Sequence, residues 1–144
     1  MPTTAKDFFK SADGHRRAVE LLQPHEFKDD GTRDSLFFAL YNILGFTVEL
    51  YLKAFLANNG MQDSELWTKK YGHNLKNLFE EAKNRGFSVG LEEMDKIIEF
   101  LASGHGKYEY RYVQEGGDLN YFENLDPVID TLKIVHVSMQ DELA

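Results

Sequence analysis

Three places in this 144-residue chain carry residue types and spacings suited to chemistry. Asn42, Glu49 and Lys53 are seven and four residues apart, a spacing that puts them along one side of a helix, in a row that also passes Phe46. Two readings fit that stripe. Glu49 and Lys53 form either an i, i+4 pair on the one exposed edge, worth only about 0.3 to 0.5 kcal/mol, or the lining of a cleft. Gly72, His73 and Asn74 stand where a later helix should begin. Unpaired backbone N–H groups and the positive end of the helix dipole attract anions there, and the dipole favours a neutral His73 able to accept a proton. The same residues also suit plain helix capping. Tyr108, Tyr110, Arg111 and Tyr112 join a guanidinium to aromatic faces. That combination stacks bases and grips phosphate, or else packs the bundle end with Arg111 bridging to Glu49 or to a backbone carbonyl.

Other chemistries find less to work with. The five histidines, at 15, 25, 73, 105 and 136, contain no i, i+4 pair and no HExxH, so no metal is assigned. With no cysteine there is no thiolate catalysis and no disulfide. No GxSxG occurs, and no cofactor is expected. His15 falls on an apolar helix stripe and reads as a hydrogen-bonded core residue. His136 shares a face with Lys133 and Gln140 and reads as solvated, and Gly104-His105-Gly106 reads as a flexible turn.

The elements that must position these residues are helical. Phe8, Ala12, His15, Val19 and Leu22 give a first helix from Thr4 to about Gln23, stopped by Pro24. A second helix is expected from near Thr32 to Ala57, apolar nearly all round between Leu36 and Leu56, and closed by Asn58, Asn59 and Gly60. Glu49 and Lys53 argue against a membrane span, since each would cost at least about 2.5 kcal/mol near a bilayer centre. Gly45, about 1 kcal/mol worse than Ala in a helix, implies close approach of another backbone. A short helical piece over 63–70, anchored by Leu66 and Trp67, comes next. The spacings of Leu75, Leu78, Phe79 and Ala82, then of Leu91, Met94, Ile97, Ile98 and Leu101, predict two amphipathic helices stopped by Gly86 and Gly104. The segment 105–117 is expected to be extended, and Asp126-Pro127 opens a last helix carrying Val128, Leu132, Val135 and Met139. These elements predict one all-α domain over residues 1–144, an up-and-down antiparallel bundle of four to five main helices.

The formal net charge of -8 lowers the expectation of nonspecific nucleic-acid binding. All of the excess acid lies after residue 85, however. Residues 69–85 hold Lys69, Lys70, Lys76, Lys83 and Arg85, interrupted only by Glu80 and Glu81, and form either a local basic surface or a solvated helix face. The N-terminal residues lack the long apolar stretch of a secretory signal, and a cytoplasmic location is expected.

Taken in order, Glu49-Leu50-Tyr51-Leu52-Lys53-Ala54, Gly72-His73-Asn74-Leu75 and Tyr110-Arg111-Tyr112 resemble the small HEPN-like domains of prokaryotic genomes, over roughly residues 33 to 113. The resemblance implies a helical bundle, homodimerisation, and a role in toxin–antitoxin pairs, phage defence or RNA processing, often beside a nucleotidyltransferase. The Arg-then-His motif of HEPN ribonucleases is missing: Arg111 is followed by Tyr112, and no His comes after it until His136. The expectation is therefore a noncatalytic or degenerate HEPN-like module that binds a nucleotide, RNA or protein partner through Asn42, Glu49, Lys53, His73, Arg111 and Tyr112, with neither DNA nor membrane as partner. One alternative is a metal-independent endoribonuclease with His73 as base and Arg111 or Lys53 steadying the phosphate. Another is a structural, antitoxin-like dimerisation subunit using apolar residues of the first two helices.

Overall fold

The computed structural model describes residues 2–106 and 121–144. The chain is an all-α bundle. Its helices are α1 (Ala5–Leu22), α2 (Leu36–Asn58), α3 (Asp63–Leu66), α4 (Leu75–Asn84), α5 (Leu91–Gly106) and α6 (Asp126–Leu143), with a 3-10 turn at Gln23–His25. Among the described residues the nearest thing to a sheet is one isolated antiparallel bridge between Phe27 and Arg33.

Local chemistry explains most boundaries. Thr4 and Asp7 start α1 with reciprocal side-chain to backbone hydrogen bonds, a capping box. Pro24 then stops the α geometry and opens the 3-10 turn. The start of α2 lies later than the expected Thr32. Asp30 instead accepts from the backbone and hydroxyl of Thr32 to close a turn, and Asp34 accepts from the Leu36 N–H at 2.9 Å and becomes the effective cap. At the end of α4, Gly86 takes a φ of 101°, which lets the Phe87 N–H reach back to the Ala82 carbonyl. The expected short helix is a single turn from Asp63 to Leu66, with Leu66 buried and Trp67 half exposed rather than an anchor.

Helix α2 is the centre of the bundle, packing against α1, α4, α5 and α6. Leu40, Leu44, Val48, Leu52 and Leu56 are all fully buried. By length and composition α2 would suit a membrane span, yet 67% of its most apolar window is covered by the rest of the fold, as befits a core helix. Helix α5 continues through His105 to Gly106, past the expected stop at Gly104. The Tyr108, Tyr110, Arg111 and Tyr112 cluster lies outside the described residues.

Candidate functional site

Helix α2 carries two acid–base positions that are wholly enclosed. Glu49 is 1% exposed and Lys53 0% exposed, one helical turn apart, with the Lys53 Nζ donating to the Glu49 Oε2 at 3.2 Å. Two further elements converge on the same carboxylate. His73, just ahead of α4, places Nδ1 2.7 Å from the Glu49 Oε1, and His105, near the end of α5, places Nε2 2.8 Å from that same oxygen. His73 takes up this position because Asn74 is the N-cap of α4, its side chain accepting from the Asn77 N–H at 3.0 Å, so the residue before it turns inward to α2.

Aromatic rings frame the cluster. The Phe46 ring stands nearly perpendicular to both imidazoles, with centroids 5.6 Å from His73 and 4.6 Å from His105. The Lys53 ammonium sits 3.4 Å from the centroid of the Trp67 ring, a cation–π contact that gives the buried charge a second partner. Trp67 is itself fixed by donating its indole N–H to Asp63 and by packing against Phe8.

Burial and charge oppose each other here. Burial alone would push the Glu49 carboxyl up, but the His105 hydrogen bond, the Lys53 charge and the His73 hydrogen bond outweigh it and hold the group below its usual range. For Lys53 burial wins and pulls the ammonium down, against the attraction of Glu49. An enclosed pair of this kind adds little net stability compared with apolar residues of similar volume, so stability alone is a weak reason for its presence.

The expected stripe is thus brought together in part. Glu49, Lys53 and His73 meet, but only His73, with its side chain 32% exposed, reaches the surface. Asn42 is half-buried two turns earlier on α2, and among the described residues no hydrogen bond joins it to the cluster. Arg111 and Tyr112 lie outside the described residues. His105 is the residue that sequence reasoning missed. Its place between two glycines suggested a turn, whereas it is a buried helical residue tied to Glu49. Gly45 was the available signal, since a Cβ there would overlap the His105 ring. The close neighbour at Gly45 is therefore a side chain and not a backbone.

A second polar cluster joins α1, α2 and α6. The Tyr51 hydroxyl accepts from the Arg16 Nε at 3.1 Å and lies 2.9 Å from the His136 Nδ1, while Arg16 also pairs with Asp13 and Glu20. Burial pushes the Tyr51 hydroxyl up to about 12, with Arg16 opposing. His136 is not solvated as its neighbours in sequence suggested. Its ring stacks on Phe9 at 4.6 Å with its side chain only 15% exposed. His15 is half-buried and pairs with the Ser11 carbonyl at 2.8 Å.

Compared with protein-family models, curated proteins and solved structures, the chain matches none of them.

Proposed function

We propose that this chain is a HEPN-like module, lacking the ribonuclease motif, that binds single-stranded RNA or a nucleotide at the head of α4. The observation that carries this reading is the half-exposed Trp67 ring, backed by the buried Lys53 ammonium and flanked by the partly exposed His73 ring at a centroid distance of 6.4 Å. Two adjacent aromatic faces of this kind suit base stacking. Lys69, Lys70 and Lys76 are exposed in the adjoining sequence, where no acidic residue occurs between Glu65 and Glu80, although Lys76 pairs with Glu99 and Asp63 accepts from the Trp67 indole. The positive end of α4 adds to that local field, so phosphate is attracted here despite the acidic chain as a whole. Glu49 and Lys53 act from beneath, orienting His73 and Trp67 rather than touching the RNA or nucleotide.

Trp67 is the sole tryptophan, so its fluorescence reports directly on the surface in question. Titration with a short single-stranded oligoribonucleotide should quench it, with the logarithm of affinity falling against the logarithm of salt at a slope of roughly -2, as about three phosphate contacts require. Lys69→Glu with Lys70→Glu should weaken binding while leaving the circular dichroism unchanged. An unquenched signal at low salt would refute the reading.

One observation favours a second reading, that of a metal-independent ribonuclease. The Glu49 Oε1 lies 2.7 Å from the His73 Nδ1, and a carboxylate so placed fixes the tautomer of an imidazole base. Cleaved RNA that disappears in His73→Ala, with folding retained, would support it. The HEPN-like resemblance supports a setting in toxin–antitoxin or defence systems, a nucleotidyltransferase-type protein partner and a homodimer, the last of these open to light scattering at several protein concentrations.

A further inference from the structure

We propose that Glu49, His73 and His105 form a binding site for a divalent transition-metal ion of the zinc class, a ligand the sequence alone gave no reason to assign. The donors come from three separate elements: α2, the segment ahead of α4, and the end of α5. Their ligating atoms all lie within 4.8 Å of one another, with both imidazole nitrogens directed at the same oxygen, the Glu49 Oε1. One imidazole would suffice to hold that oxygen. Two imidazole nitrogens with one carboxylate oxygen make up a donor set that zinc uses in sites keeping a fourth position for water.

The two nitrogens, which lie within 4.8 Å of each other, have to come to a tetrahedral spacing as well as each clearing the carboxylate oxygen. Metal–ligand bonds of about 2.0 to 2.1 Å in a tetrahedral arrangement place ligand atoms about 3.3 Å apart. From contacts of 2.7 and 2.8 Å each nitrogen therefore draws back from the oxygen by about half an ångström, a movement within the reach of side-chain torsions. Each nitrogen that would bind the ion now donates to the Glu49 carboxylate, so binding requires that nitrogen to give up its proton, the neutral ring keeping one on its other nitrogen, and the ion takes the place of the two hydrogen bonds.

The surroundings hold the donors in place. Phe46 braces both rings edge-on, and Gly45 leaves the space that the His105 ring fills. Lys53 occupies the other carboxylate oxygen, which keeps the Oε1 turned toward the imidazoles. The Lys53 charge works against a cation, but its hydrogen bond is to the Oε2 rather than to the oxygen the imidazoles share, and its other contact is the Trp67 ring. Glu49 and His105 are shielded from solvent, and the one-third-exposed His73 marks the route by which an ion and its water enter.

The test is calorimetric titration of the folded chain with zinc chloride, together with visible absorption on adding cobalt(II), both in the absence of RNA, so the result is independent of the RNA reading. One ion per chain and the visible bands of tetrahedral cobalt are expected, with affinity reduced at least about tenfold in His73→Ala. His73 is partly exposed, so that variant should keep its circular dichroism; His105→Ala, at a buried position, is the second variant, checked for folding in the same way. Absence of one-to-one uptake by the folded chain would overturn the proposal. So would uptake unchanged in His73→Ala, which would put the ion on other histidines.

Discussion

Gly45 is where residue-scale packing has the clearest consequence. Alanine is favoured over glycine in a helix by about 1 kcal/mol, so in isolation Gly45→Ala should stabilise α2. The added Cβ, however, would meet the His105 ring, with Cγ only 2.9 Å away, in a place where neither α2 nor a buried imidazole yields easily. Overpacking of this kind costs about 1 to 3 kcal/mol, so the expected outcome is net destabilisation in urea unfolding. A raised midpoint would contradict the packing described around His105. The glycine itself was legible in the sequence as a point of close approach. Its partner was not, because Gly104 and Gly106 on either side of His105 both disfavour helix, while the bond from His105 to Glu49 is a long-range contact that no local pattern encodes. His136 was misread for the same reason: its sequence neighbours on α6 are polar, but the Phe9 and Tyr51 surfaces that cover it belong to α1 and α2.

Among the elements, those with a long apolar period could be read from sequence to within a few residues. Helices α1, α4 and α6 lie close to where their apolar spacing and end signals put them, because each buries one stripe against the core. The entry to α2 was less legible, since Asp30, Thr32, Asp34 and Ser35 are all plausible caps and tertiary contacts choose among them. One such contact is Glu26, 8% exposed at the end of the 3-10 turn, which accepts from the Tyr41 hydroxyl of α2 at 2.9 Å. That hydroxyl in turn accepts from the Phe122 N–H at 2.8 Å, drawing the segment before α6 onto the same point. Burial pushes the Glu26 carboxyl above its ordinary value of 4.5, with the Tyr41 hydrogen bond opposing. The folded state therefore holds the proton more tightly than the unfolded one, and stability linked to this group is fully present below pH 4.5 and is lost as pH rises through the raised value. Glu26→Gln keeps an acceptor for Tyr41 and removes the charge. Its stability relative to the parent should grow from acidic to neutral pH and then level off. A difference that stays constant with pH in chemical unfolding would contradict this assignment.

At the scale of the whole molecule, an acidic chain carries a lysine-rich stretch around Trp67 and His73. The formal charge of -8 comes from residues after 85, while the stretch from Trp67 to Lys76 carries three lysines and no acid. Composition made both facts readable, and the spacing of Glu49 and Lys53 indicated a shared helix face. What the spacing left open was depth: the pair is enclosed, so the part of the site that meets solvent is His73 and Trp67 rather than the charges themselves. The most direct test is photo-crosslinking of a single-stranded oligoribonucleotide carrying 5-iodouridine, followed by mass-spectrometric mapping of the adduct. Adducts at Trp67, Tyr71 or His73, competed away by unlabelled oligoribonucleotide, are the expected result. Adducts confined to α1 or α6, or none under conditions where the chain is folded, would contradict an RNA-binding surface at the head of α4.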